Sequence, residues 1–95
     1  MKLYLVYEFT YNNMRECITE DIDFYGLFKN KDEAIRTANK RVKIGIKNND
    51  VVIQNDVVDK KNPFNETDSI YMYREDYTEY ESPIYSINIA MLKVK

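Results

Sequence analysis

Residues 30–47 read NKDEAIRTANKRVKIGIK and predict the one helix around which the rest of the chain is organised. Asn30 is a good N-cap, because its side-chain oxygen can accept a hydrogen bond from an amide of the first turn. Glu33 follows three residues later, which approximates a capping box. We place the end of the helix between Ile44 and Lys47, with Gly45 as an early C-terminal cap.

The two faces of this helix differ in chemistry. Apolar residues recur at the spacing of one helical face and predict contact with a core: Ile35, Ala38 and Val42, flanked by Ala34 and Ile46. The opposite face carries a basic stripe, which we define as Arg36, Lys40, Lys43 and Lys47. The basic stripe could contact the phosphates of a nucleic acid. The alternative is an ordinary solvated helix face.

Two strands are predicted before the helix. In residues 2–11 the odd-numbered side chains are apolar or aromatic, and we expect this odd face to lie under the helix. Asn12 and Asn13 form a candidate tight turn. A second strand spans about residues 15–28, in which Gly26 is either the seat of a β-bulge or a point of close approach to the helix. Its even-numbered apolar residues are expected to face the core: Ile18, Ile22, Phe24 and Phe28.

Three more strands are predicted after the helix, at residues 51–58, 69–75 and 84–94. The first of these is a candidate edge strand, and the polar loop at residues 59–68 has Phe64 as its anchor. Because the first and last strands have the most apolar residues on both of their faces, we expect them in the middle of the sheet. The sequence therefore predicts an α+β fold over residues 1–95, with one helix packed on a mostly antiparallel sheet of four or five strands in the order β-β-α-β-β-β.

The first third of the chain resembles a class of small bacterial and phage proteins of unknown function. The features that carry this resemblance lie between Tyr4 and Ala34: the opening strand YLVYEF, the acidic second strand, and the sequences GLF and KDEA around the start of the helix. The resemblance implies an opening strand pair followed by a capped helix. It implies no functional residue.

The composition argues against most catalytic chemistry. The chain has no histidine, which removes His-dependent catalysis and most zinc sites. Its two glycines cannot form a glycine-rich phosphate loop. Cys17 is the only cysteine, which favours an unreactive thiol in a reducing, cytoplasmic setting. The acidic cluster Glu20, Asp21 and Asp23 lacks the spacing of a calcium loop. No apolar run is long enough to span a bilayer. We expect no enzyme, cofactor, metal or membrane contact.

Residues 66–81 read ETDSIYMYREDYTEYE and form the strongest candidate for a binding surface. Tyrosines are favoured at protein interfaces, and carboxylates among them suit a basic partner. The predicted protein-binding residues are Tyr71, Tyr73, Glu75, Asp76, Tyr77, Glu79, Tyr80 and Glu81. The alternative is that alternate tyrosines belong to the core and the acidic residues only solubilise the chain.

These observations predict a small, cytoplasmic, non-enzymatic interaction protein of phage or mobile-element type that binds an unidentified protein partner through its acidic, Tyr-rich segment. One concrete version is an inhibitor of a nucleic-acid-handling machine, such as an anti-CRISPR protein. The alternative is a nucleic-acid-binding module that uses the basic stripe, although the net charge of −2 gives no global attraction to nucleic acid. A homodimer through a strand edge, at residues 51–58, is a further expectation.

Overall fold

The computed structural model describes residues 1–14, 17–49, 51–53, 57–74 and 84–94. Five strands form one antiparallel sheet in the order β2-β1-β5-β4-β3, and one α-helix packs on it. The elements are β1 (Lys2–Met14), β2 (Cys17–Phe28), α1 (Lys31–Asn49), β3 (Val51–Ile53), β4 (Ser69–Arg74) and β5 (Ile84–Lys93). The predicted α+β fold is confirmed, and the first and last strands lie side by side inside the sheet, as expected.

The helix begins where the sequence predicts but ends later. Oδ1 of Asn30 accepts a hydrogen bond from the backbone N–H of Asp32 at 2.8 Å, which confirms the cap. The helix continues through Gly45 to Asn49, so the prediction of a C-terminal cap at Gly45 is wrong. Gly45 is buried against Tyr85 of β5, whose hydroxyl occupies the space that a Cβ atom would need. The glycine is therefore explained by the close approach of α1 to the sheet.

The core lies between α1 and one face of the sheet, which we call the helix-side face. The helix contributes the small side chains of Ala34, Ala38 and Val42, which are fully buried. The sheet contributes Val6, Val51, Ile70, Met72, Tyr85, Ile87 and Ile89. Phe64 anchors its loop in this core, as predicted, and follows Pro63 in a short 3₁₀ helix, Pro63–Asn65.

The face of β1 that the helix covers is the opposite of the predicted one. Val6 is fully buried, and Tyr4 packs against the same core. The reason lies in β5, because Val6 is paired with Ile89 and Glu8 with Ile87. Cross-strand partners share a face of the sheet, so the apolar face of β5 determines which face of β1 is buried. The odd-numbered residues of β1 consequently lie on the other face.

A β-bulge changes the faces of β2 partway along the strand. Val6 is paired with Gly26 and Tyr7 with Phe24, so Tyr25 is the extra residue. This confirms the bulge predicted at Gly26, whose φ of 153° is a conformation that glycine adopts easily. Phe28 packs against the core, as expected. The expected burial of Ile22 and Phe24 is wrong, since both are exposed.

Two predicted boundaries also differ from the structure. Asn12 and Asn13 do not form a turn, because they pair with Thr19 and Ile18 and lengthen the β1–β2 ladder. The third strand lies at a sheet edge, as expected, but it comprises only β3 (Val51–Ile53). Residues 57 and 58 are not part of a strand, and residues 54–56 lie outside the described residues.

Candidate protein-binding surface

The face of the sheet away from α1, which we call the open face, is not covered by a helix in the part of the chain that the structure describes. Strand alternation and the pairing register define which described side chains it carries. They are Leu3, Leu5, Tyr7, Phe9, Ile22, Phe24, Leu27, Val52, Ser69, Tyr71, Tyr73, Ser86, Asn88, Ala90 and Leu92. None of these side chains is charged.

Several large apolar side chains of the open face are exposed to solvent. Phe24 is 67% exposed, Leu27 55%, Ile22 50% and Tyr71 43%. A solvated face of an antiparallel sheet is normally polar, and monomeric proteins rarely expose contiguous apolar patches of more than a few hundred Å². The open face is therefore the part of the described surface that most resembles a contact surface.

A depression of about 240 Å³ lies on this face above β5. Tyr7 and Phe9 of β1 line one side of it, and Tyr71 of β4 lines the other. Its floor is formed by Ser86 and Asn88, which are smaller than the aromatic residues on the neighbouring strands. We call these five residues the aromatic depression. Its volume is below the range of typical small-molecule pockets and suits one side chain of a partner.

The floor of the aromatic depression is held by hydrogen bonds within β5. Nδ2 of Asn88 donates to Oγ of Ser86 at 2.9 Å and to the backbone oxygen of Ser86 at 3.3 Å. Both residues are buried. These two hydrogen bonds fix the orientation of the Asn88 amide, whose acceptor atom is Oδ1. The depression thus combines aromatic rings with a fixed polar floor and has no charged lining residue.

The structure places two of the predicted protein-binding residues on the open face. Tyr71 lines the aromatic depression, and Tyr73 follows it on the same side of β4. Ile70 and Met72 point the other way and are fully buried, which confirms the predicted alternation. The remaining predicted residues lie outside the described residues: Glu75, Asp76, Tyr77, Glu79, Tyr80 and Glu81.

Sequence reasoning missed the other four residues of the aromatic depression. The pattern of β1 predicts that Tyr7 and Phe9 face the core, because the odd face of this strand is the more apolar one. Ser86 and Asn88 are polar residues in a strand that is otherwise mostly apolar. Ser86 and Asn88 lie on the same side of β5, and two polar residues on one side of a strand indicate that this side does not face the main core.

The basic stripe lies on the far side of the molecule. Arg36, Lys40, Lys43 and Lys47 are all exposed on α1. They lie about 200° around the helix from the buried Ala34, Ala38 and Val42 and extend about 16 Å along its axis. The stripe and the open face are therefore separated by the whole thickness of the helix and the sheet, and they cannot form one site.

A polar cluster joins the helix to the β1–β2 hairpin. The hydroxyl of Tyr25 donates a hydrogen bond to Oε2 of Glu8 at 3.0 Å, and the guanidinium carbon of Arg41 lies 3.9 Å from the centroid of the Tyr25 ring. Burial, and then the hydrogen bond to Glu8, raise the pKa of the Tyr25 phenol above its ordinary value of 10.0. The bulge turns Tyr25 toward α1, so the cluster has a structural explanation.

The acidic residues on the same side of β2 do not form a described metal site. Asp21 and Asp23 are exposed, and the side chain of Glu20 is not described. Within the described ranges, no three carboxylate or thiol side chains converge as metal ligands do. None of the helices in these ranges is long and apolar enough to cross a bilayer.

Comparison with known proteins adds no further candidate. No protein-family model, curated protein or solved structure matches the chain.

Proposed function

We propose that this chain is a small, non-enzymatic protein-binding module that contacts its partner through the aromatic depression and the acidic, Tyr-rich segment that follows β4. The observation that carries the proposal is that Tyr71 is 43% exposed on a sheet face that no described helix covers and on which no described side chain is charged. Tyr73 extends this surface along β4, and residues 75–81 continue directly from the end of that strand.

The chemistry of this surface fits a basic protein partner. A lysine or arginine side chain can pack on Tyr7, Phe9 and Tyr71, and its charged group is attracted to the faces of the rings. Oδ1 of Asn88 is an acceptor of the kind that such a group seeks. The carboxylates of residues 75–81 would steer a basic surface toward the depression. A nucleic-acid-handling machine presents such a surface, so its inhibition, in the manner of an anti-CRISPR protein, is the specific form of the proposal.

Direct binding of nucleic acid by the same surface is disfavoured. Exposed aromatic residues on a sheet can stack on bases, but such sites also use basic residues along the nucleic-acid backbone. None of the described side chains on the open face is a lysine or an arginine. The described part of this surface therefore lacks the cations that would neutralise phosphates.

A capture experiment tests the proposal. Immobilised wild-type protein is exposed to host lysate, beside a variant with Tyr71→Ala and Tyr73→Ala and a second variant with Tyr77→Ala and Tyr80→Ala. We expect one specific, salt-sensitive basic partner to be lost from both variants. Met91→Ala is the matched control, because Met91 is also about half exposed but belongs to the helix-side face. Equal recovery of the partner by all four proteins would contradict the proposal.

The second candidate function is nucleic-acid binding by the basic stripe. The observation in its favour is that all four cations are exposed on one side of α1. A mobility shift at low salt should be lost with Lys40→Glu and Lys43→Glu. Lys60→Glu with Lys61→Glu makes the same change of charge at an exposed loop and should leave the shift intact. If neither RNA nor DNA binds at low salt, this function is rejected.

A further inference from the structure

A second apolar surface lies on the open face, away from β4. We define the β1–β2 patch as Leu3, Leu5, Ile22, Phe24 and Leu27. Leu5 is paired directly with Leu27, so the patch crosses from β1 to β2. Phe24 and Ile22 are paired with Tyr7 and Phe9, so the patch adjoins the aromatic depression. The patch contains the three most exposed large apolar side chains of the open face. None of them is needed for the partner surface proposed above.

The chemistry of the β1–β2 patch suits contact with a copy of itself. In a twofold-symmetric interface, the same residues of the two copies meet close to the axis. Charged residues in that position would repel their own copies, but the patch is wholly apolar. The absence of cations also argues against an anionic lipid surface as its occupant. A second copy of the chain therefore fits the patch without any unpaired charge.

Association through a strand edge is less favourable than association through this face. β2 is one edge strand, but Asp21 and Asp23 lie in its middle. Antiparallel pairing of β2 with its copy would bring these carboxylates close to those of the partner, and like charges across a strand pair are destabilising. β3 is the other edge strand and offers only three residues for pairing.

The size of the surface predicts a weak, concentration-dependent dimer. The patch extends over residues 3–9 of β1 and the facing residues 22–28 of β2. At a strand spacing of about 4.8 Å and a rise of about 3.3 Å per residue, this part of the two strands covers about 220 Å² in projection. Raised side chains increase the accessible area above this value, but it stays below the roughly 800 Å² per partner of a standard interface.

We propose that the β1–β2 patch is a self-association surface, on which two copies of the chain pack face to face about a twofold axis. Phe24 and Leu27 lie at the centre of the contact. Phe24→Glu would place one carboxylate from each copy in an apolar interface, close to the axis. The lost burial of the ring alone is expected to raise the dissociation constant by about tenfold or more.

Sedimentation velocity from low micromolar to submillimolar concentration tests this proposal on the full chain. A reducing agent is present throughout, because Cys17 could otherwise link two chains covalently. We expect wild-type protein to pass from monomer to dimer with increasing concentration, and Phe24→Glu and Leu27→Glu to remain monomeric. Met91→Glu is the matched control, because Met91 is 51% exposed but lies on the helix-side face. This variant should dimerise as wild type does. Circular dichroism establishes that each variant is folded.

Two results would overturn the proposal: wild-type protein that remains monomeric at every concentration, or a dimer that persists in both patch variants. The first result needs no variant, so misfolding of a variant cannot obscure it. Failure of this proposal can be separated from failure of the proposed function. Leu27→Glu should still capture the basic partner, because Leu27 is paired with Leu5, outside the aromatic depression, and Tyr71→Ala with Tyr73→Ala should still dimerise.

Discussion

Gly45→Ala tests the close approach between α1 and β5. In an exposed helix interior this substitution stabilises by about 1 kcal/mol, because glycine is the poorer helix former. At this position the new methyl group would clash with the hydroxyl of Tyr85 and lie 3.4 Å from Cζ and 3.6 Å from Cε2 of the same ring. Tyr85 is buried, so its hydroxyl must move against packed neighbours. Since overpacking costs about 1–3 kcal/mol, we expect the free energy of unfolding to fall by up to about 2 kcal/mol.

Tyr85→Phe supplies the background in which the opposite result is expected. Without the hydroxyl, the remaining ring atoms lie at ordinary van der Waals distances from the new methyl group. Gly45→Ala should then stabilise the protein by up to about 1 kcal/mol, as in an exposed helix. The effect of one substitution thus changes sign with the other. The double-mutant cycle should give a coupling energy of about 1–3 kcal/mol, within the range found for residues in contact.

Urea unfolding of the four proteins, followed by circular dichroism, measures this coupling. The cycle also separates the effect of Tyr85→Phe itself, including the loss of any hydrogen bond of the hydroxyl. A constant denaturant slope across the four proteins would show that the native and unfolded states are comparable. If Gly45→Ala stabilises both backgrounds equally, α1 does not approach β5 as described and the reasoning is refuted.

Three further predictions concern the core and two titrating groups. Asn39→Ala should lower the free energy of unfolding by about 1–3 kcal/mol in denaturant titrations, because the buried backbone N–H of Phe64 loses the acceptor that it contacts at 3.0 Å. Tyr25→Phe should reduce the loss of stability above pH 10.0. Because the folded pKa of Tyr25 is raised above 10.0, the native state keeps a proton that the unfolded state has lost, and stability falls as the pH rises through the folded pKa. The test is to measure the free energy of unfolding of wild-type protein and of Tyr25→Phe at neutral and at alkaline pH. The hydrogen bond from the side chain of Asn62 lowers the pKa of the Asp59 carboxyl below 3.8. An NMR titration should show this shift in wild-type protein and a smaller one in Asn62→Ala.

Local sequence patterns predicted the elements, but not which face of each strand would be buried. The period of two along β1 is plain, and both of its faces could have met the helix. The choice depends on the pairing of Val6 with Ile89, two residues far apart in the sequence. In β2, the extra residue at Tyr25 separates the parity of Phe24 from that of Phe28. A glycine such as Gly26 indicates where the alternation of β2 shifts. Only the pairing with β1 shows which residues of β2 face the helix and which face away from it.

The candidate site was predictable only where it depends on one strand. Ile70 and Met72 alternate with Tyr71 and Tyr73, so the exposure of the two tyrosines follows from β4 alone. The aromatic depression needs side chains from three strands, with Ser86 placed between Phe9 and Tyr71 by two separate registers. Such an arrangement depends on long-range pairing, which strand periodicity does not specify.

The position of β5 has implications for how this chain is synthesised and folded. Among the described strands, β1 pairs with β2 and β5, and β4 pairs with β3 and β5, so β5 is the strand that joins the two ribbons into one sheet. A nascent chain that has emerged only as far as β4 therefore has two strand pairs with unpaired inner edges. Two-stranded ribbons are marginally stable in water, and unpaired edges recruit other chains. The interval before β5 leaves the ribosome is thus when a chaperone would matter most, and folding should complete in one late, cooperative step.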